Sequence, residues 1–346
     1  MAIANRLRTQ IAYCERLQMF GPKSGLLKIA AILSITTSTI AFSQPATAAD
    51  ATVNGASNFL TSKFVEGKAV EGFTPGKFDF GITLESMLQR KAAGRSLASQ
   101  ITSVNFVLNT RAPGGLDYLY STTDKALLSG LAGKFLFTAK ALKAPVAPNA
   151  NKVLSSLKKA IAADGTIAGS AGNTFDYAWV TLGLQAMGQT ALATRVEAKL
   201  IALAKPDGGF GYDQTADSTN SSVDSTGIAL QAMSALKGLG GSRLSAANKN
   251  ATVKAVAWLN AQKVTDAKGA HWESWGAFDV NGTAYAAMGL KAAGQNVAPI
   301  SAWLKTKIAA DGGVMSAWSG GKGDAMATSQ SIVPMLGLSY LDLLKK

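Results

Sequence analysis

Two kinds of apolar segment alternate along most of this chain. One kind carries a single apolar face. Val253, Val256, Trp258 and Leu259 recur at helical spacing against Lys254, Asn260, Gln262 and Lys263, and Ile300, Trp303, Leu304 and Ile308 do so against Lys305 and Lys307. A stripe with a polar opposite face predicts a helix on the outside of a fold. The other kind is apolar nearly all round and rich in small residues, as in Ile228, Ala229, Leu230, Ala232, Met233, Ala235 and Leu236, or in residues 178–187. Such a segment predicts a helix buried between neighbours, and Gly188, Gly238 and Gly294 then serve as C-terminal stops.

The alternation is periodic. Outer segments end in the pairs Phe59-Leu60, Val107-Leu108, Ser156-Leu157, Ala202-Leu203, Trp258-Leu259 and Trp303-Leu304, with spacings of 48, 49, 46, 56 and 45. Gly-containing loops follow, among them Asp207-Gly208-Gly209 and Asp311-Gly312-Gly313. Inner segments open at Asp79, Asp124, Asp176, Asp224, Asp279 and Asp324. Two landmarks with one period predict six helical hairpins. An open array needs polar end caps, yet the last unit, Ile332 to Leu341, is as apolar as any middle one. Closure hides it. The expected fold is therefore all-α, a twelve-helix α/α toroid with an outer and an inner ring, occupying residues 50–346.

Residues 1–49 read differently. Lys23 and Lys28 precede an apolar run from Ile29 to Phe42, followed by Ala46-Thr47-Ala48-Ala49. This is the pattern of a secretory signal peptide, and a start at Met19 would give it a conventional length of about 30 residues. The chain as a whole has 34 Lys/Arg and 21 Asp/Glu. Cleavage removes five of those bases, one acid (Glu15) and the single cysteine, Cys14, leaving a balance of +9. The expected location is secreted, at the cell surface or in the periplasm, with a membrane involved only through the signal segment. A basic exported protein is suited to anionic polymers or surfaces. The bases are scattered along the sequence without a nucleic-acid motif, so no nucleic-acid partner is expected. One histidine and one cysteine leave no Cys/His zinc site and no Cys–His nucleophile pair, so neither metal nor cofactor is expected.

Asp207-Gly-Gly-Phe-Gly-Tyr-Asp213 resembles the loop of the prenyltransferase and squalene-cyclase repeat. Ser221 to Met233 is similar to the inner-helix segment of bacterial toroids and of the transcobalamin and intrinsic factor α-domain, and Trp275 to Tyr285 is similar to segments of exported actinobacterial repeat proteins. The resemblance covers about residues 53–341 and implies the toroid. It hosts unrelated functions, which can be tested one by one. The zinc prenyltransferases need a Cys ligand that is lost with the signal segment. The terpene cyclases need an Asp-x-Asp-Asp motif that does not occur here. What the resemblance leaves is a non-catalytic binding toroid for a small or medium ligand: a corrinoid, an isoprenoid or a glycan, a corrinoid being bound by this chain alone or with a separate chain completing the site. The alternatives are a secreted enzyme acting on glycans or isoprenoids, and a structural or interaction module of the cell surface.

Inner helices that begin after the same loop begin at the same end of the ring. The aspartates there are expected to cap helices, for roughly 0.5–2 kcal/mol each, or to bind ligand. Candidate ligand residues are Asp176, Tyr177, Asp224 and Asp279, with the loop aromatics Tyr212, Trp272, Trp275 and Trp318. Polar and aromatic groups converging on a concave surface suit a flat or amphipathic ligand. Tyr118, Tyr120 and Phe278 belong to the same loops. His271, near Glu273, is expected on a loop surface, and Trp258 and Trp303 in the packing between rings. An Asp176–Asp224 pair across the rim would be the geometry for glycan cleavage.

Overall fold

Twelve α-helices follow one another among the described residues, and they alternate as the two sequence characters require. Those residues are 51–110, 114–168, 172–213, 220–238 and 244–345 of the computed structural model; the predicted signal segment lies outside them. The outer helices are α1 (Ala51–Ser62), α3 (Ile101–Ser103), α5 (Ala147–Ala160), α7 (Thr190–Ala202), α9 (Ala246–Gln262) and α11 (Ala298–Lys305). The inner helices are α2 (Phe80–Ala92), α4 (Ser129–Ala141), α6 (Thr174–Ala186), α8 (Val223–Gly238), α10 (Val280–Ala292) and α12 (Ala325–Met335).

The inner ring closes. Each even-numbered helix packs on the next, and α12 packs back on α2. The apolar last unit is thereby covered, which is the reason a ring wins over an open stack. Outer helices sit against the ring: α1 on α12 and α2, α7 on α6 and α8, α11 on α10 and α12. The tightest inner crossings use paired glycines. A Cβ on Gly133 would lie 2.4 Å from the Trp179 carbonyl, and one on Gly183 would lie 2.4 Å from that of Gly133. Gly227 and Gly289 repeat the arrangement between α8 and α10. Backbones this close gain dispersion contact that larger residues would prevent.

The second outer element is irregular. A 3-10 turn (Ala98–Gln100) leads into the one-turn α3, and a π turn (Val104–Leu108) follows. Antiparallel hairpins carry the chain from outer to inner helices in the fifth unit, where β3 (Val264–Asp266) pairs with β4 (Gly269–His271) and β5 (Glu273–Ser274) with β6 (Ala277–Phe278). In the first unit β1 (Phe64–Val65) pairs with β2 (Ala69–Val70).

Hydroxyls lock these loops to the inner helices. Thr83, Thr226, Thr283 and Thr328 each accept a loop N–H, from Val70, Phe210, Trp272 and Val314, at 2.8–3.0 Å. Each of these threonines stands four residues after the residue that precedes its helix. That register corrects the six-aspartate reading. Asp79, Asp279 and Asp324 are true N-caps, accepting from Ile82, Gly282 and Ala327. The residue before α4 is Leu128, and Asp124 lies four residues upstream with its carboxylate on the Ala126 N–H. Asn173 caps α6, and Ser222 precedes α8. Asp176 and Asp224 therefore lie inside their helices.

The end of the ring where inner helices finish is plugged. The C-terminal 3-10 turn (Tyr340–Leu344) packs on α2, α4 and α8. Tyr340 is fully buried between Phe137 and Trp179. Its N–H donates to Gln231 Oε1 at 3.1 Å, and its hydroxyl accepts from Gln89 Nε2 at 3.2 Å.

Candidate functional site

The open end of the ring is lined in two layers. Six residues beyond the residue preceding each inner helix stand Glu85, Lys134, Trp179, Ile228, Tyr285 and Gln330. Four of the six form one polar network across the ring. Glu85, 3% exposed at its side chain, accepts from the Tyr285 hydroxyl and from Gln330 Nε2 at 3.1 Å, and pairs with Lys134 Nζ at 3.2 Å. Lys134 also lies 4.9 Å over the Trp179 ring. Burial, with the Glu85 charge, raises the Tyr285 phenol well above its usual range, so it stays a donor. A buried carboxylate is tolerable only with such a set of donors.

One turn nearer the opening, two residues after that same starting position, stand Gly81, Gly130, Phe175, Asp224, Asn281 and Met326. The two glycines leave room on α2 and α4. A Cβ on Gly81 would come within 3.9 Å of Lys134 Nζ, and one on Gly130 would come 2.2 Å from Asp176 Oδ1. Lys134 keeps 14% of its side-chain exposure. Phe175 stacks on Tyr212 with centroids 5.7 Å apart and meets Tyr285 edge-on. The Tyr212 hydroxyl donates to Asp224 Oδ2. Asn281 Nδ2 donates to Gln330 Oε1 at 2.6 Å, tying the layers together. Burial pushes the Asp224 carboxyl up to about 7; the Ser225 N–H opposes the shift and the charge of Asp279 adds to it.

These contacts place the sequence-predicted residues. Asp176 Oδ1 lies against Gly130 on α4, and Asp224 lies near enough to Asp279, before α10, to feel its charge. Tyr212 belongs to the mouth and is 57% exposed. Trp275 and Trp318 are 79% and 77% exposed on loop tips, Trp275 in a left-handed conformation that turns the β5–β6 hairpin. Asp279 spends its carboxylate on the cap of α10.

Two candidates are corrected. Trp272 is fully buried, and its indole N–H donates to the Leu259 carbonyl at 2.9 Å. Tyr177 is buried in the core. Both point into packing because each sits at a core position of its element rather than at a loop tip. His271 is also buried rather than on the surface: it stacks on Trp303, centroids 4.4 Å apart. Trp303 packs as expected, while Trp258 is half-buried and donates to Asp207 Oδ2 at 2.9 Å. Tyr118 and Tyr120 reach the Val107 carbonyl and Ser156. The floor residues Glu85, Lys134, Tyr285 and Gln330 went unnoticed in the sequence. Their signal was there: polar and ionisable groups in the middle of helices that are otherwise apolar nearly all round. Among the described residues no three His, Cys, Asp or Glu side chains converge as a metal site.

No family model matches the chain, and no curated protein matches it. Solved structures do. The unsaturated glucuronyl hydrolase of Bacillus sp. GL1, responsible for the degradation of glycosaminoglycan, superposes with a TM-score of 0.55 at 13% identity, over 83% of this chain and 94% of that one. At such low identity the likeness is one of fold, and this chain is an all-α, six-hairpin α/α toroid similar to that enzyme.

Proposed function

We propose that this chain binds and cleaves glycans at the open mouth of its ring, with Asp224 as the proton donor. The observation that carries this reading is a half-buried carboxyl at the mouth, hydrogen-bonded to an exposed tyrosine that stacks on Phe175, and burial pushes that carboxyl up to about 7. An acid with that titration is protonated enough to donate at neutral pH and acidic enough to release the proton. Tyr212 offers an aromatic face to a sugar ring, and Asp176, next to Phe175 in sequence, serves as the second carboxylate, as base or nucleophile. The Lys134–Glu85 floor would hold hydroxyl or acidic substituents by charge-assisted hydrogen bonds. The glycan-degrading activity of the similarly folded hydrolase supports the choice of substrate class.

The ring axis argues for this ligand over the other two candidates. Glu85, Tyr285, Gln330, Trp179 and Tyr340 fill it. A corrinoid or an isoprenoid chain needs a deep apolar cavity, whereas a sugar is held at a shallow polar surface by stacking and hydrogen bonds. The test is release of reducing ends from neutral, uronate-containing and amino-sugar polysaccharides, together with absorbance of unsaturated products. Turnover that disappears in Asp224→Asn supports the proposal. Turnover unaffected by that substitution, or no turnover and no binding on any of the three classes, overturns it.

A further inference from the structure

The two ends of the ring differ in charge. The described connections at the open end with their adjoining helical turns, residues 59–83, 101–110, 114–132, 157–168, 172–177, 199–213, 220–226, 259–283 and 302–328, hold 15 acids and 13 bases. Those at the plugged end, residues 89–100, 138–150, 185–194, 234–238, 244–249, 289–300 and 333–345, hold 9 bases and one acid, Asp342. The bases are spread over both ends; what the plugged end lacks is acids, and that leaves it net positive.

Five of the lysines at that end, Lys140, Lys143, Lys237, Lys249 and Lys291, are exposed, and among the described residues none meets a carboxylate within 4 Å. Helix polarity explains part of the set: Lys140, Lys237 and Lys291 stand in the last turns of α4, α8 and α10, where a cation is favoured. It does not explain Lys249, which stands in the first turn of α9, where a cation is disfavoured. Lys143, just past the C-cap of α4 at φ 52°, is favoured by the same polarity. The same end presents no exposed large apolar side chain among its described connections, so it lacks the group that anchors a protein in a lipid interface.

We infer that the plugged end docks on a linear polyanionic polymer, leaving the mouth at the opposite end open. The partner is recognised by closely spaced negative charge alone, through counterion release.

The experiment measures binding of the purified protein to long-chain inorganic polyphosphate as a function of salt. It compares wild type with a quadruple variant, Lys140, Lys237, Lys249 and Lys291→Gln, and with a control that removes the same charge at the open end, Lys77, Lys125, Lys263 and Lys322→Gln. The quadruple →Arg variant of the first set tests whether charge suffices. All variants are checked for wild-type helical circular dichroism. The plugged-end variant is expected to lose at least tenfold in affinity and about 3 in the slope of log affinity against log salt. The control should change by less than twofold, and the →Arg variant should bind like wild type. Equal losses in both →Gln variants would reduce the effect to net charge and overturn the docking face. Absence of wild-type binding overturns it as well, as does tight binding to phosphatidylglycerol vesicles without binding to polyphosphate.

Discussion

The first, fifth and sixth units of the ring use an aspartate where the third and fourth use Asn173 and Ser222. The difference is one of two or three residues along a helix. In the first group the carboxylates of Asp79, Asp279 and Asp324 take the N–H three residues on and are consumed by the helix terminus. In the second, neutral residues occupy the helix start, and the carboxylates move inward to Asp176 and Asp224. A shift of that size turns a side chain from the helix terminus toward the ring mouth. One residue type thus has two roles at one end of one fold, and position relative to the helix start decides between them.

The largest test of that division is Asp224→Asn. Under the glycan-cleaving proposal, turnover should fall by about 10²–10⁴-fold, the usual contribution of a positioned acid, with the thermal melt little changed. A large drop in melting temperature with activity retained would return Asp224 to the capping class. Next in size are Asp279→Ala and Asp324→Ala, each expected to cost about 0.5–2 kcal/mol in urea unfolding with turnover intact; losing turnover without losing stability would reverse the assignment.

Titration sharpens the contrast further. Burial pushes the Asp224 carboxyl up from 3.8 to about 7, and it pushes Glu197, on α7 beside Asn248, up from 4.5 to about 7. For a raised carboxyl the stabilisation is complete below the unfolded value and is lost as pH rises through the folded one. Stability should therefore decline between about pH 4 and pH 7. Glu197→Gln should flatten part of that decline, raising stability at pH 8 by about 1–3 kcal/mol without touching activity. Asp224→Asn should flatten another part and remove the fall of turnover above about pH 7. If Glu197→Gln changed the pH profile of turnover, the separation of a structural carboxyl from a mouth carboxyl would fail. The smallest effect belongs to Asp124→Ala. Its carboxylate serves only an exposed turn, so its melting temperature should match wild type within replicate error, and a clear drop would make it a cap after all.

Much of the fold was legible because it rests on periodicity. The polar-faced and all-apolar segments marked outer and inner helices, and the apolar last unit forced closure. The three capping aspartates were legible as well, since a cap stands directly before an apolar helix. Asp176 and Asp224 were singled out for the right region on the wrong register. Asn and Ser are as common before a helix as Asp, so composition alone could not say that Asn173 and Ser222 precede α6 and α8. The threonine four residues after the cap, at Thr83, Thr226, Thr283 and Thr328, was the local signal that would have fixed it in four units. Trp272 and Trp275, three residues apart on one hairpin, read alike as loop aromatics; only pairing of the strands sends one into the core and the other to the tip.

The sequence by itself determined which helices are buried, that they repeat six times and that the ring must close, because these follow from local patterning and from apolar surface that has to be covered. Tertiary structure alone decided what meets in the middle and what gathers at the ends. Glu85 and Tyr285 are 200 residues apart, and Glu85 and Gln330 are 245 apart; no local pattern couples them, and only closure of the inner ring sets them at one height. The same parallel packing leaves one end face nearly without acids, because it stacks like ends of the inner helices together.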